Sequence, residues 1–327
     1  MTREIRRLGV LTSGGDAPGM NAAIRAVVRA CVHHGIKPYG IREGYKGLID
    51  GQIEPMNARS VANIVNQGGT LLKSARSQAF RTPEGRQTAF ENFRSADLDA
   101  LVVIGGDGSF TGATLFEKEF GIPVVGVPGT IDNDIFGTDY TIGYDTALNT
   151  VVEAVDKIRD TATSHNRLFF IEVMGRDAGF IALNSGIGCG AEEILIPEAD
   201  RGIDHLIKSL ERSDRAGKTS SIVLVAEGGK GGGAFELAKT LEARLPDYEA
   251  RVTVLGHIQR GGRPSCFDRV LASRLGVAAV KTLLEGSSSV MVGVRNNAVA
   301  LTPFAEAISK HNAIDKALLE VADIVSI

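Results

Sequence analysis

The sequence predicts an α/β protein with mainly parallel sheets, arranged as two domains facing a cleft. Three observations carry this. Short apolar runs alternate with stretches of helical period along the chain, the pattern of repeated strand–helix–strand units. The runs end in glycine-rich loops, with Gly pairs at 14, 68, 105, 228, 231 and 261. A second series of runs starts near Leu168. The chain has 327 residues, enough for two domains at about 150 residues each.

The elements follow in order. Leu8–Leu11 with Thr12 reads as a buried strand ending at Ser13-Gly14-Gly15-Asp16-Ala17-Pro18-Gly19. Ile24, Val27, Val28 and Cys31 then recur at i, i+3, i+4, i+7, which predicts a helix. Asp16 is its expected N-cap, Pro18 lies in its first turn and Gly35 is its expected C-cap. Leu101–Ile104 is a second strand, ending at Gly105-Gly106-Asp107-Gly108-Ser109 before a helix that includes Leu115 and Phe116. Ile122–Pro128 is a third, followed by a polar loop from Thr130 to Thr141 and a long helix over about 146–164. In the second series, strands are expected at Leu168–Gly175, Ser221–Gly229 and Val252–His257, with helices between them. No low-complexity linker marks the domain boundary, which falls near residues 140–165.

Composition narrows the function. Apolar residues are 43% and charged residues 23%, ordinary for a globular chain. A net charge of −3 argues against a dedicated nucleic-acid or membrane-surface binder. The 39 glycines are about 12% of the chain against a usual ~7%, and such loops bring backbone close to a ligand. Cys31, Cys189 and Cys266 are far apart and form no zinc or CxxC spacing, so reduced thiols packed in the core of a cytoplasmic protein are expected. The basic N-terminus is followed by too short an apolar run for a signal peptide, and no stretch approaches 18 apolar residues.

Several loops can carry chemistry. Thr12–Asp16 follows a strand and opens a helix, where backbone N–H groups can hold a phosphate. It matches neither the Walker pattern nor GxGxxG, so a dinucleotide fold is not indicated; taken alone it is equally a tight turn. In Gly105–Ser109, Asp107 is a hard oxygen donor of the kind that holds Mg²⁺ together with substrate phosphates, or else a helix cap. Pro128-Gly129-Thr130-Ile131-Asp132-Asn133-Asp134 places two carboxylates just after a strand. One could deprotonate an attacking hydroxyl while the other supports a metal, as phosphoryl transfer requires. Arg76, Arg167, Arg176, Arg251, His257 and Arg260 lie in or beside polar loops, where guanidinium groups bind phosphate bidentately. Glu227 could accept hydrogen bonds from sugar hydroxyls. Arg25 and Arg29 lie at i, i+4, by default a solvated face.

Together the segments LTSGGDAPGMNAAIR, GGT with SAR, VVIGGDGS, GTIDNDIFGTDYTIGYDTA, IEVMGRDAG and VLGHIQRGG closely resemble the bacterial type of ATP-dependent 6-phosphofructokinase. They run in the family's order from residue 9 to about 263. The resemblance implies two Rossmann-like parallel-sheet domains with the active site in the cleft between them. An ATP-binding domain is expected over 1–143 plus about 259–309, and a sugar-phosphate domain over about 144–258 plus 310–327. It implies transfer of the ATP γ-phosphoryl to the 1-hydroxyl of fructose 6-phosphate, with Mg²⁺, in glycolysis.

The family's residue roles carry over by position. Asp132 resembles the base; Thr130 and Arg176 resemble the groups that stabilise the transferring phosphoryl. Asp107 and Asp134 resemble the Mg²⁺ site. Gly15, Tyr45, Arg76, Arg81, Gly108 and Ser109 match nucleotide contacts. Thr130, Asp132, Asp134, Arg167, Met174, Gly175, Arg176, Glu227, Arg251, His257 and Arg260 match substrate contacts. The resemblance further implies a homotetramer in which Arg167 and Arg251 reach a neighbouring subunit's site. An effector pocket for ADP and phosphoenolpyruvate is implied at Arg25, Arg29, Arg159, Glu192 and Lys218. Ala58 and Ala216 depart from that pocket's basic pattern, and Lys73 replaces a common Gly, so an altered effector response is expected. Pyrophosphate-using relatives carry Asp and Lys where this chain has Gly108 and Gly129, which predicts ATP as donor. The alternatives are another donor or sugar phosphate, since GGDG loops also occur in NAD and lipid kinases, and a catalytically silent nucleotide-binding regulator. A nicotinamide dehydrogenase is disfavoured by the missing GxGxxG.

Overall fold

The computed structural model describes residues 4–163, 168–199, 201–215, 221–229, 231–246 and 248–326. Along the chain, strands and helices alternate as the apolar runs predict. The first part contains β1 (Arg7–Thr12), α1 (Met20–His33), β2 (Lys37–Ile41), α2 (Gly44–Ile49), β3 (Ile53–Pro55), α3 (Pro83–Ser95), β4 (Ala100–Gly105), α4 (Asp107–Phe120) and β5 (Val124–Pro128). Then come α5 (Tyr144–Thr163), β6 (Leu168–Val173), α6 (Phe180–Gly188), β7 (Glu193–Leu195), α7 (Gly202–Arg215), β8 (Ser221–Ala226), α8 (Gly233–Arg244) and β9 (Ala250–Val254). The chain closes with α9 (Cys266–Leu284), β10 (Val290–Arg295), β11 (Ala298–Pro303), α10 (Phe304–Ser309) and α11 (Lys316–Val325).

The chain divides into two compact units. Unit 1 comprises Met1–Thr130, Ile135–Thr146 and Arg260–Asn312. Its sheet has the order β11-β10-β5-β4-β1-β2-β3, parallel except for the antiparallel pairs β2–β3 and β10–β11. β4 and β5 are buried along their whole length, as strands covered on both faces must be, and their sequences are accordingly continuous apolar runs. β1 and β4 are neighbours, yet β1 leads to β2 on one side and β4 to β5 on the other. The order therefore reverses between them, and their carboxyl-end loops flank a crevice where ligands of open α/β sheets bind.

Unit 2 comprises Ile131–Asp134, Ala147–Gln259 and Ala313–Ile327. Its sheet, β7-β8-β6-β9, is entirely parallel among the described residues. Phe170, Leu206, Leu210, Val223 and Leu241 build its core, separate from the unit 1 core around Phe93, Phe110, Phe116 and Leu48. The loops after β8, β6 and β9 emerge side by side at one end of this sheet.

Some local expectations hold and others change. α1 starts at Met20 with Gly19 (φ +108°) as its N-cap, not at Asp16. Asp16–Gly19 stays outside the helix: Ala17–Met20 is a turn closed by the Met20 N–H to Ala17 O at 3.2 Å, with Gly19 in a positive-φ conformation that glycine takes at no steric cost. Gly35 does close α1: its N–H reaches Val32 O and the Ile36 N–H reaches Cys31 O, the paired bonds of a Schellman ending. Of the cysteines, Cys31 is buried and Cys189 half-buried, with burial pushing their thiols up to about 12 and about 11. Cys266 is exposed in the first turn of α9 rather than packed in a core. No helix among the described residues is long and apolar enough to cross a membrane.

Candidate active site

In unit 1 the two strand-end loops are packed against each other by their glycines. The Ser13 N–H donates to Ile104 O at 2.9 Å. A Cβ at Gly105 would lie 2.5 Å from both Ser13 O and Ser109 Oγ, so only glycine lets the loops meet. Gly106 and Gly108 have the opposite setting: a Cβ at either meets nothing within 4 Å. They flank the half-buried Asp107 at the start of α4. Ser109 is buried, and its carbonyl accepts from Tyr45 Oη at 2.5 Å. Tyr45 stacks on Phe80 at 4.1 Å, is 6% exposed, and has its phenol held far above the usual range by burial. The structure thus places Tyr45 beneath the Gly105–Ser109 loop, touching it through Ser109. Gly112 leaves room for that ring. Arg76 and Arg81 are exposed, and the Arg81 carbonyl is held by the buried Arg86 guanidinium at 2.8 Å.

Arg260 belongs to the same unit. Its guanidinium donates to Asp16 O at 3.3 Å, and a Cβ at Gly15 would come within 2.7 Å of it. Gly15 is therefore a site of close approach to an arginine. At Gly129 a Cβ would sit 3.1 Å from Ile104 and Met20, tight for any larger side chain. The Thr130 carbonyl accepts from Thr141 Oγ1 at 2.7 Å.

Unit 2 carries the carboxylate segment and three further loops. Asp132 and Asn133 are buried and Asp134 is half-buried. Asn133 has φ +56°, a left-handed residue set between the two carboxylates; Asn tolerates it through its short polar side chain. After β6 come Met174, Gly175 (φ +143°) and Arg176 (φ +58°). A left-handed arginine is uncommon and costs of order 1–3 kcal/mol unless its surroundings hold it. Here Glu227 Oε1 accepts the Arg176 N–H at 2.8 Å. A Cβ at Gly228 would lie 2.1 Å from Arg176 O, so glycine is required there. The Met174 N–H donates to Gln259 Oε1 at 3.1 Å. His257 is exposed on the turn after β9, and Arg251 on β9 is exposed and paired with Glu249.

The described residues of the expected effector pocket occur in both units. Arg25 and Arg29 lie together on α1 of unit 1, where partial burial and then the Arg29 charge lower the Arg25 pKa. Arg159 and Glu192 meet in unit 2: Arg159 donates to Cys189 O at 2.7 Å and Gly190 O at 2.9 Å and lies 3.8 Å from Glu192. Arg167, Lys218 and Ala216 lie outside the described residues.

Sequence reasoning placed Gln259 within a motif and Gly228 within a glycine pair after Glu227 but gave neither a role. The signal for both was present: a glutamine inside an otherwise basic loop, and a glycine directly after a candidate carboxylate.

Comparison with known proteins gives the same direction. A family model described as phosphofructokinase matches residues 7–283. ATP-dependent 6-phosphofructokinase 2 of Bacteroides thetaiotaomicron is 54% identical over 99% of this chain and 99% of its own. ATP-dependent 6-phosphofructokinase 1 of Thermus thermophilus is 56% identical over 99% of this chain and all of its own. Among solved structures, Pichia pastoris phosphofructokinase in the T-state superposes with a TM-score of 0.88 at 39% identity, covering 94% of this chain and 36% of that longer one. The chain belongs to the phosphofructokinase family.

Proposed function

We propose that the protein transfers the γ-phosphoryl of ATP to the 1-hydroxyl of fructose 6-phosphate, giving fructose 1,6-bisphosphate and ADP in glycolysis. The observation that carries this is the pair of glycine loops at the reversal point of the unit 1 sheet, with open space at Gly108 where a carboxylate side chain would repel a nucleotide phosphate. Gly15, Gly108 and Ser109 line the phosphates, the exposed Arg76 and Arg81 contact the nucleotide, and Tyr45 acts by holding the Ser109 carbonyl. Asp107, a hard oxygen donor at the start of α4 between Gly106 and Gly108, fits a Mg²⁺ held by one or two carboxylates and nucleotide phosphates; Asp134 is the second candidate. Bound there, Mg²⁺ would neutralise phosphate charge.

Asp132 accepts the proton of the sugar 1-hydroxyl as the O1–phosphorus bond forms and the bond to the ADP oxygen breaks. Arg176 and Thr130 stabilise charge on the transferring group. Met174, Gly175, Glu227, His257 and Arg260 orient the sugar phosphate, with Arg167 and Arg251 serving a neighbouring subunit of a homotetramer. The protein works in the cytoplasm, and Arg25, Arg29, Arg159, Glu192 and Lys218 serve the response to ADP or phosphoenolpyruvate as effectors. The deciding experiment is an assay of fructose 1,6-bisphosphate formation with ATP or pyrophosphate, each with and without Mg²⁺. Product with ATP and Mg²⁺ alone is expected. Product with pyrophosphate overturns the donor assignment, and no product with either donor overturns the function.

A further inference from the structure

We infer that Gln259 is a positioning residue that sets the backbone of the Met174–Arg176 loop against the turn carrying His257. The inference rests on the function proposed above, because it concerns that reaction's sugar-phosphate loops. Gln259 has no exposed surface, and its carboxamide spans two backbones. Its Oε1 accepts the Met174 N–H at 3.1 Å, and its Nε2 donates to Gly256 O at 3.0 Å. One side of the gap presents a donor and the other an acceptor. Only a neutral group with both functions satisfies them together, and a flipped carboxamide would set donor against donor.

The consequence reaches Arg176. Its left-handed backbone (φ +58°) is constrained from one side by Glu227 and Gly228 on the loop after β8. From the other side the constraint is the Met174 N–H, two residues earlier in the chain. Gly175 between them has φ +143° and no side chain to pack, and its carbonyl accepts from the Ala178 N–H at 3.0 Å, which leaves the Met174 N–H to be held from outside the loop. Gln259 is the side chain that holds that N–H. It touches no reacting atom in this arrangement; it acts through the loop and through Gly256, which precedes His257.

The test uses two variants of the full chain beside the wild type. Gln259→Met keeps the volume and removes both hydrogen bonds. It is expected to lower kcat/KM for fructose 6-phosphate by about 10²-fold, the effect of a displacement near 1 Å, with the KM for MgATP unchanged. Amide exchange at Met174 should accelerate in this variant, a readout that needs no activity. Gln259→Glu replaces the donor by an ionisable oxygen. Its protonated form has the same acceptor and donor as glutamine, so its activity relative to wild type should recover as the pH is lowered. Wild-type sugar kinetics and Met174 exchange in Gln259→Met, or a Gln259→Glu deficit that does not change with pH, would overturn the inference. A wild-type enzyme inactive on fructose 6-phosphate would instead overturn the function, while the exchange measurement would still report on Gln259.

Discussion

At Gly108 a side-chain carbon would meet nothing within 4 Å, whereas at Gly105 it would strike Ser13 and Ser109. Two glycines three residues apart thus have different reasons to be glycine, one steric and one chemical. Gly108→Asp is expected to fold normally and to lose at least about tenfold in kcat/KM for ATP, equivalent to about 1.4 kcal/mol of phosphate repulsion. Steady-state kinetics with thermal melting as a control decide this; unchanged ATP kinetics would remove the donor argument. Asp132→Ser removes the proposed base. Loss of a general base typically costs about 10²–10⁴-fold in rate, so kcat should fall in that range with little change in the sugar-phosphate KM. A wild-type kcat would reject the assignment. Both residues were legible in the sequence as members of named motifs. The left-handed backbone of Arg176 was not, because nothing in its own sequence announces φ +58°; its cause is Glu227 and Gly228, some fifty residues away.

Most strands placed from sequence are buried ones, although the largely exposed β9 was placed and the buried β10 was not. β1, β4, β5, β6 and β8 are continuous apolar runs because both faces are covered, and the sequence reading placed each of them. β3 and β7 have three residues each, and β11 is an edge strand with most of its length exposed, so none carries a clear apolar run. The end of α1 was readable at Gly35, while its start was not, because Asp16 resembles a cap and Gly19 performs the turn. The contact of α1 with α9 depends on Gly276: a Cβ there would lie 2.6 Å from Ala26 Cβ and 2.9 Å from Ala23 O. Gly276→Val should therefore force the helices apart and destabilise unit 1 by about 1–3 kcal/mol through overpacking. Denaturant unfolding measures this, and a variant as stable as wild type would show that the helices can separate at no cost.

Across the whole molecule, stability depends on polar groups far apart in sequence. Asp268 has no exposed surface, and its carboxylate accepts from Gly143 N–H, Thr146 N–H and Thr146 Oγ1. Burial outweighs these donors and raises its pKa from 3.8 to about 6. The folded state therefore binds this proton more tightly than the unfolded chain. Its contribution to stability is greatest below about pH 4, declines as pH rises to about 6, and is constant above. The unfolding free energy of wild type minus that of Asp268→Asn should show this decline; a flat difference between pH 4 and 6 would mean that the carboxylate is ionised throughout. The sequence alone determined the α/β class, the glycine loops at the strand ends, the free cysteines and the family, because these depend on local composition and on motif order. Only the tertiary structure decided how the loops are held: that Tyr45 supports Ser109 from the core, that Gln259 joins two backbones and that Asp268 ties Gly143 and Thr146 to α9. Each of these is a hydrogen bond between residues separated by 60 or more positions except the Gln259–Gly256 bond, and such pairings have no local signal. They exist because a buried polar group must find a partner wherever the fold brings one.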